Sequence, residues 1–211
     1  MLGLRQQGVQ RDGQPNLCLS DFVAPHTVAI NDYVGAFAVT AGIGVEALVA
    51  QYESEHDLYK AMLAKALADR LAEAFAEWMH RDVRMRAWGY AADESLDNIA
   101  LIRERYHGIR PAPGYPANPD HYQKCQIWEL LDVEAATGIT LTETLAMRPA
   151  ASVSGWYFSH PSARYFGVGK LERDQVEDFA ARAGITLTDA ERRFAADLAY
   201  EPEAAARMQV A

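Results

Sequence analysis

"ETLAMRPAASVSGWYFSHPSARYFGVGKL", residues 143–171, decides the fold class. It contains three short runs, "ETLAMRP", "SVSGWYFSHP" and "RYFGVGKL", rich in aromatic and apolar residues. Pro149 and Pro161 punctuate them, so the runs read as strands and the prolines as turns. Strands that follow one another without a helix between them pair antiparallel, here as a meander. Helical patterns lie before and after this stretch, without strict strand–helix alternation, and a doubly wound parallel sheet is not expected. Neither G-x-G-x-x-G nor G-x-x-x-x-G-K-[ST] occurs, which removes the usual phosphate cradles. The expectation is an α+β fold: an antiparallel sheet or meander with flanking helices.

Working outward, "NLCLSDFVA" (16–24) and "DYVGAFAVT" (32–40) read as two further short strands. From Val45 to about Ala87 the pattern is helical, with a break near Ser54. Leu63, Leu67, Leu71, Ala74 and Trp78 form one apolar stripe on it. A short helix is expected over 96–106, and another over 123–136 that Gly138 stops. Two helices, 172–184 and 188–198, close the domain, the second opened by Thr188 as N-cap with Glu191 completing a capping box. Residues 1–15 are polar and read as loosely docked; 201–211 read as a tail, leaving one domain over 1–200.

The chain has 211 residues and a net charge of -9. That balance argues against nucleic acid or an anionic membrane surface as the main partner, since both demand a basic face. Two isolated cysteines, Cys18 and Cys125, suit a reducing compartment, and no apolar leader opens the chain, so a cytoplasmic protein is expected. The six histidines, His26, His56, His80, His107, His121 and His160, show no metal-ligand spacing, and no G-x-S-x-G elbow accompanies Ser152, Ser154 and His160. Neither a metal site nor a hydrolase triad is expected.

"GIRPAPGYPANPDH", residues 108–121, is the segment with chemistry to explain. Its four prolines exclude a helix or a central strand and stiffen what they flank. Arg110 is a fork suited to a carboxylate, or a surface ion-pair partner; both readings stand. Tyr115, between Gly114 and Pro116, is either an aromatic wall held out toward a ligand or a ring packed on the surface. A polyproline ligand for an SH3-like partner is a third reading, which the glycine interrupts. Asp69 and Glu73, one turn apart, and Glu104, six residues before Arg110, are carboxylates that would favour a cationic ligand, or a solvated face.

"RPAPGYPANPDH", "QIWELLDVEAATGITLTE", "ASVSGWYFSHPSARYF" and "DQVEDFAARAG", in this order, resemble the C-terminal activation domain of cobalamin-dependent methionine synthase; so do "DFVAP", "DYVGAFAVT" and "ALADRLAEAFAEWMH". The resemblance runs from about Leu4 to Tyr200. It implies an S-adenosylmethionine-binding module that supports reductive methylation of inactive cob(II)alamin to methylcobalamin. The cobalamin would be bound by another domain or chain, and flavodoxin or a flavodoxin-like reductase would supply the electron. By resemblance, Arg110 meets the ligand carboxylate, Ala112 contacts it through the backbone and Tyr115 lies near its reactive end. Tyr165 and Phe166 match an aromatic-containing pair, and Glu73 and Glu104 match acidic positions near its positive charges. No catalytic residue and no metal ligand are assigned. The family's domain begins upstream and contributes an aspartate to the cofactor site. The cobalamin signature D-x-H-x-x-G is absent here. The chain is therefore expected to be an N-terminally partial domain, a fragment or a split-synthase subunit, unable to methylate homocysteine alone. The alternative is a non-catalytic docking domain for the cobalamin module and flavodoxin.

Overall fold

The computed structural model describes residues 1–10 and 13–202, so most of the expected tail, from 203 on, lies outside the described residues. The chain forms two units. One comprises 34–112 and 124–163; the other comprises 1–33, 113–123 and 164 onward.

The first unit is built on β1 (Gly35–Thr40) and β4 (Ser152–Tyr157), paired antiparallel with Gly35 opposite Tyr157 and Thr40 opposite Ser152. Alternation along β1 turns Phe37 and Val39 inward, where Phe37 stacks on Tyr157 at 4.7 Å. Between them in sequence come α1 (Val45–Ser54), α2 (Leu58–Asp82), α3 (Asn98–Ile102), α4 (Gln123–Leu131), α5 (Val133–Thr137), β2 (Thr140–Leu141) and β3 (Met147–Arg148). The break between α1 and α2 falls where the sequence suggested. His56 takes a positive φ, and Asp57 caps α2 by accepting from the Lys60 N–H at 3.0 Å. Asp132 at φ 48° separates α4 from α5, and Gly138 at φ 74° ends α5.

The α+β class holds, but the strands do not pair as a meander. β3 pairs with β2, while β4 crosses back to β1, and residues 164–171 form no strand. A local reading cannot detect a partner more than a hundred residues upstream.

The expected apolar stripe of α2 is not its buried face. Leu67, Leu71 and Trp78 are 54, 62 and 55% exposed. The buried residues are Ala61, Ala68, Ala72 and Ala76, with His80 at the end of the helix. Ala76 packs with Phe37, Val39 and Tyr157, and Ala68 and Ala72 pack with Ala151 and Val45. The sheet presents the rings, so the helix must present small residues to approach it, and volume rather than hydropathy selects the face.

The second unit pairs α6 (Arg173–Ala183) with α7 (Leu187–Arg193). Phe179 meets Phe194 edge to face at 4.9 Å within a core that includes Val168, Leu171 and Val176. Leu4 is part of that core, so the N-terminal segment is docked rather than loose. The Gln7 N–H donates to the Val168 carbonyl, and Arg5 binds both Asp21 carboxylate oxygens at 2.7 and 2.8 Å. The strand expected over 16–24 is instead a 3₁₀ turn, Leu19–Phe22, with Leu19 and Phe22 buried. The Asp21 carboxylate accepts from the Cys18 N–H and closes that turn. α7 begins two residues earlier than expected: Thr186, not Thr188, is the N-cap and accepts from the Asp189 N–H at 3.1 Å.

The two faces of α2 should respond oppositely to volume changes. Ala76→Leu overpacks the contact with Phe37 and Tyr157 and should cost about 1–3 kcal/mol. Leu71→Ala, on the exposed face, should stay within about 0.5 kcal/mol of the parent. Urea unfolding of both variants checks this, and a larger loss for Leu71→Ala would contradict the assignment of faces.

Candidate ligand site around Arg110

The proline segment enters the first unit as an added edge beside β4. Ile109 and Phe158 exchange two backbone hydrogen bonds, each 3.0 Å, and the Trp156 N–H donates to the Pro111 carbonyl at 3.0 Å. Pro111 has no N–H to leave unpaired, which suits an edge position. Gly155 makes the approach possible: a Cβ there would lie 2.7 Å from the Pro111 carbonyl oxygen and 2.9 Å from the Phe37 ring. Arg110 is thus held by backbone pairing on both sides, and Ala112 follows it, half-buried.

The side chain of Arg110 is gripped from the end of α2 and from Tyr106. Nη2 donates to Glu77 Oε2 at 2.6 Å, and Nη1 donates to the Tyr106 hydroxyl at 2.6 Å. The same hydroxyl lies 3.5 Å from Glu77 Oε2, closing a three-membered ring of polar contacts. Nη1 also faces His80 Nδ1 at 3.3 Å. A guanidinium has no acceptor, so Nδ1 accepts and the imidazole proton sits on Nε2.

Behind this group lies a second arginine. Arg84, fully buried, binds both oxygens of Glu94 at 2.7 Å and lies 3.8 Å over the Tyr106 ring. His80 stacks on Tyr157 and meets Tyr106 edge-on. Burial, then the charges of Arg84 and Arg110, lower the His80 pKa to about 2, so the ring is neutral. Burial pushes Tyr106 up to about 12 and raises Tyr157 as well, so both phenols keep their protons. The cluster therefore offers a fixed cation against neutral aromatic walls and one carboxylate.

Of the acidic residues singled out from sequence, Glu104 borders this cluster at a φ of 51°, close enough for its charge to act on Tyr106. Glu73 stands exposed on α2, one turn before Glu77. Glu77, His80, Arg84 and Tyr106 carry no ligand-site signal in the sequence. Three of them share a face of α2 and its extension at helical spacing, but the spacing is meaningless until the chain brings Arg110 to that face.

In the second unit, Tyr115 lies at a tight turn, 61% exposed. The Gly114 N–H donates to the Asn118 carbonyl at 2.7 Å and the Asn118 N–H to the Tyr115 carbonyl at 2.8 Å. Gly114 has φ 92°, and a Cβ there would sit 2.2 Å from the His121 ring. The Asn118 side chain is anchored on Gln123. The Val168 N–H donates to the Pro116 carbonyl at 2.8 Å, which brings the Tyr165–Phe166 segment beside the Tyr115 turn. Tyr165 is exposed, whereas Phe166 packs against the α6–α7 core. Among the described residues, no group of three or more His, Cys, Asp or Glu is placed to hold a metal ion, and no helix is long and apolar enough to cross a membrane.

The family model for the vitamin B12-dependent methionine synthase activation domain matches residues 1–184. The chain belongs to this family. It is also similar to a solved structure, the crystal structure of the MetH reactivation domain bound to AdoHcy, at 56% identity and a TM-score of 0.91. The match covers 94% of this chain and 61% of that one, so the chain spans about three fifths of the relative's length. The resemblance drawn from the proline segment and its flanking blocks is the family that the model identifies.

Two measurements check the site's construction. Because backbone bonds pin both ends of the turn, the Gly114 and Asn118 amides of this activation-domain chain should exchange slowly without any ligand; unprotected amides would contradict a preformed loop. His80 predicts an acid sensitivity. In the unfolded chain it takes up a proton below its ordinary 6.5, while in the folded chain it stays neutral down to about 2. Its contribution is therefore lost as pH falls from 6.5 toward 2, at up to about 1.4 kcal/mol per pH unit. Urea unfolding between about pH 7 and pH 4.5 should show a steeper loss for the parent than for His80→Gln; equal slopes would refute the buried neutral ring.

Proposed function

We propose that this chain binds S-adenosylmethionine and serves as the reactivation module of a cobalamin-dependent methionine synthase. The observation that carries the reading is Arg110: a caged, charge-fixed guanidinium on the family's proline segment, in a chain 56% identical to a reactivation domain bound to AdoHcy. AdoHcy and S-adenosylmethionine share adenosine and an amino-acid tail and differ by one methyl on sulfur. When bound, S-adenosylmethionine supplies an activated methyl group for cobalamin held by another domain or chain.

This chain's residues bind and orient. Arg110 takes the ligand carboxylate in a charge-assisted contact. Ala112, on the rigid proline backbone, offers main-chain groups already ordered before binding. By the family resemblance, Tyr115, Tyr165 and Phe166 are further aromatic positions that contact the ligand. Glu73 and Glu104 add negative charge that favours the sulfonium and ammonium. No side chain here is asked to move a proton, which fits a role of positioning a methyl donor. The cobalamin module of the synthase and a flavodoxin-type reductase are the implied partners, in the cytoplasm, with the domain acting over residues 1–200.

Titration calorimetry with S-adenosylmethionine tests the reading. The parent should bind, and Arg110→Ala should weaken binding by about 1.5–3 kcal/mol, roughly ten- to hundredfold. Arg110→Lys should recover only part, because an ammonium lacks the planar fork. Equal affinity for parent and Arg110→Ala would remove Arg110 from the site. A parent that shows no heat and no competition would favour a docking role without the cofactor.

A further inference from the structure

Asp69, one of the two carboxylates that stand a turn apart on α2, lines a cavity of about 440 Å³ in the first unit, between α1, α2 and the loop 149–151. Glu77, His80, Tyr106 and Arg110 take no part in its lining. Two cross-linked turns form its end wall. The Ala41 N–H and the Thr40 hydroxyl both donate to the Ala151 carbonyl at 3.0 Å, and the Ser152 hydroxyl donates to the Pro149 carbonyl at 2.6 Å. Gly42 is required there, since a Cβ would collide with Pro149. The floor is hydrocarbon from Val45, Val49, Ala68, Pro149 and Ala151. Ala68 and Ala151 belong to a packed core with Ala72, so the floor is fixed before any ligand arrives.

The rim carries charge. Glu46 and Glu53 lie two turns apart on α1, and Lys65 and Asp69 one turn apart on α2. Lys65 reaches Glu53 at 3.4 Å. Glu46 and Asp69 make no ion pair among the described residues. A hydrocarbon floor is thus bordered by one carboxylate from each helix that lacks a cationic partner.

We propose that this cavity binds a small amphipathic amine, with its apolar body on the floor and its ammonium toward Glu46 and Asp69. The volume is that of a small-molecule site. A stable protein contact would need about 800 Å² from each partner. Burial of the apolar body drives binding, and the two carboxylates select the sign of the head group. An ammonium carries three donors and no acceptor, which matches a rim of carboxylate oxygens. An anionic head group would meet like charge. The proposal is independent of the reading of Arg110.

The experiment uses three probes of one shape: phenethylamine, phenethyl alcohol and phenylacetate. Each is titrated into the full chain while the backbone amides of Gly42, Val49, Ala50, Ala68 and Ala151 are followed by NMR. Phenethylamine should shift these amides and bind more tightly than the alcohol, and phenylacetate should bind least. The double variant Glu46→Gln/Asp69→Asn should weaken phenethylamine about three- to tenfold, the scale of two exposed charge contacts, and leave the alcohol unchanged. Salt at about 1 M should act in the same direction on the amine alone. Ala50→Leu, which intrudes on the cavity from an exposed position, should weaken both amine and alcohol.

Phenethylamine that leaves these amides unmoved overturns the proposal. Equal affinity for the three probes reduces the cavity to an unselective apolar hollow and overturns it as well. So does an amine affinity that survives Glu46→Gln/Asp69→Asn or Ala50→Leu unchanged, because binding then lies elsewhere. Shifts of the same amides on dilution of the protein alone would show a second copy in the cavity and replace the amine as its occupant.

Discussion

The pairing of residues 109–111 with the end of β4 is the constraint on which the candidate site depends. β4 gives one edge to β1 and the other to the proline segment, and Gly155 allows the close passage of Pro111. Backbone hydrogen bonds have fixed direction and spacing, so this pairing sets where Arg110 stands to a degree that side-chain contacts alone would not. A proline at that edge forfeits a donor the sheet does not need, and the segment gains stiffness without leaving an orphaned N–H.

The long helix α2 changes character along its length. Most of its turns pack alanines against aliphatic residues and the strand side chains, where small volume allows the helix axis to come near the sheet. Its last two turns exchange alanine for Glu77 and His80, and the π turn that follows, Val83–Ala87, adds Arg84. The face that has been buried hydrocarbon becomes a polar cluster at the point where the chain delivers Tyr106 and Arg110. Buried polar groups are costly unless partnered; here Arg84 pairs with Glu94 and Arg110 with Glu77 and Tyr106, while Glu77 Oε1, His80 Nε2 and Arg84 Nη1 make no hydrogen bond among the described residues.

The two arginines of the cluster differ in exposure and in how they meet their carboxylates. Glu94 neutralises Arg84 completely, and the pair is nearly sealed from solvent. Arg110 meets Glu77 at one point and keeps a solvent-facing portion, with a neutral imidazole rather than a further cation in contact with it. Arg110, Glu77 and the nearby Glu104 thus put charges of both signs around Tyr106.

The sequence by itself determined the α+β class, the helical stretch and its break near Ser54, the Gly138 stop and the proline segment with Arg110 and Tyr115. Each of these is a local property: φ restriction by proline, positive φ at glycine, or periodicity within a few turns. The blocks around them also carried the family. Tertiary structure alone decided that β4 joins β1, that alanines rather than leucines of α2 face the sheet, and that the N-terminal segment docks on the α6–α7 core. It also decided that Glu77, His80 and Tyr106 surround Arg110. Those outcomes turn on which distant surfaces fit in volume and hydrogen-bond geometry, and hydropathy read along one segment contains no information about the shape of its partner.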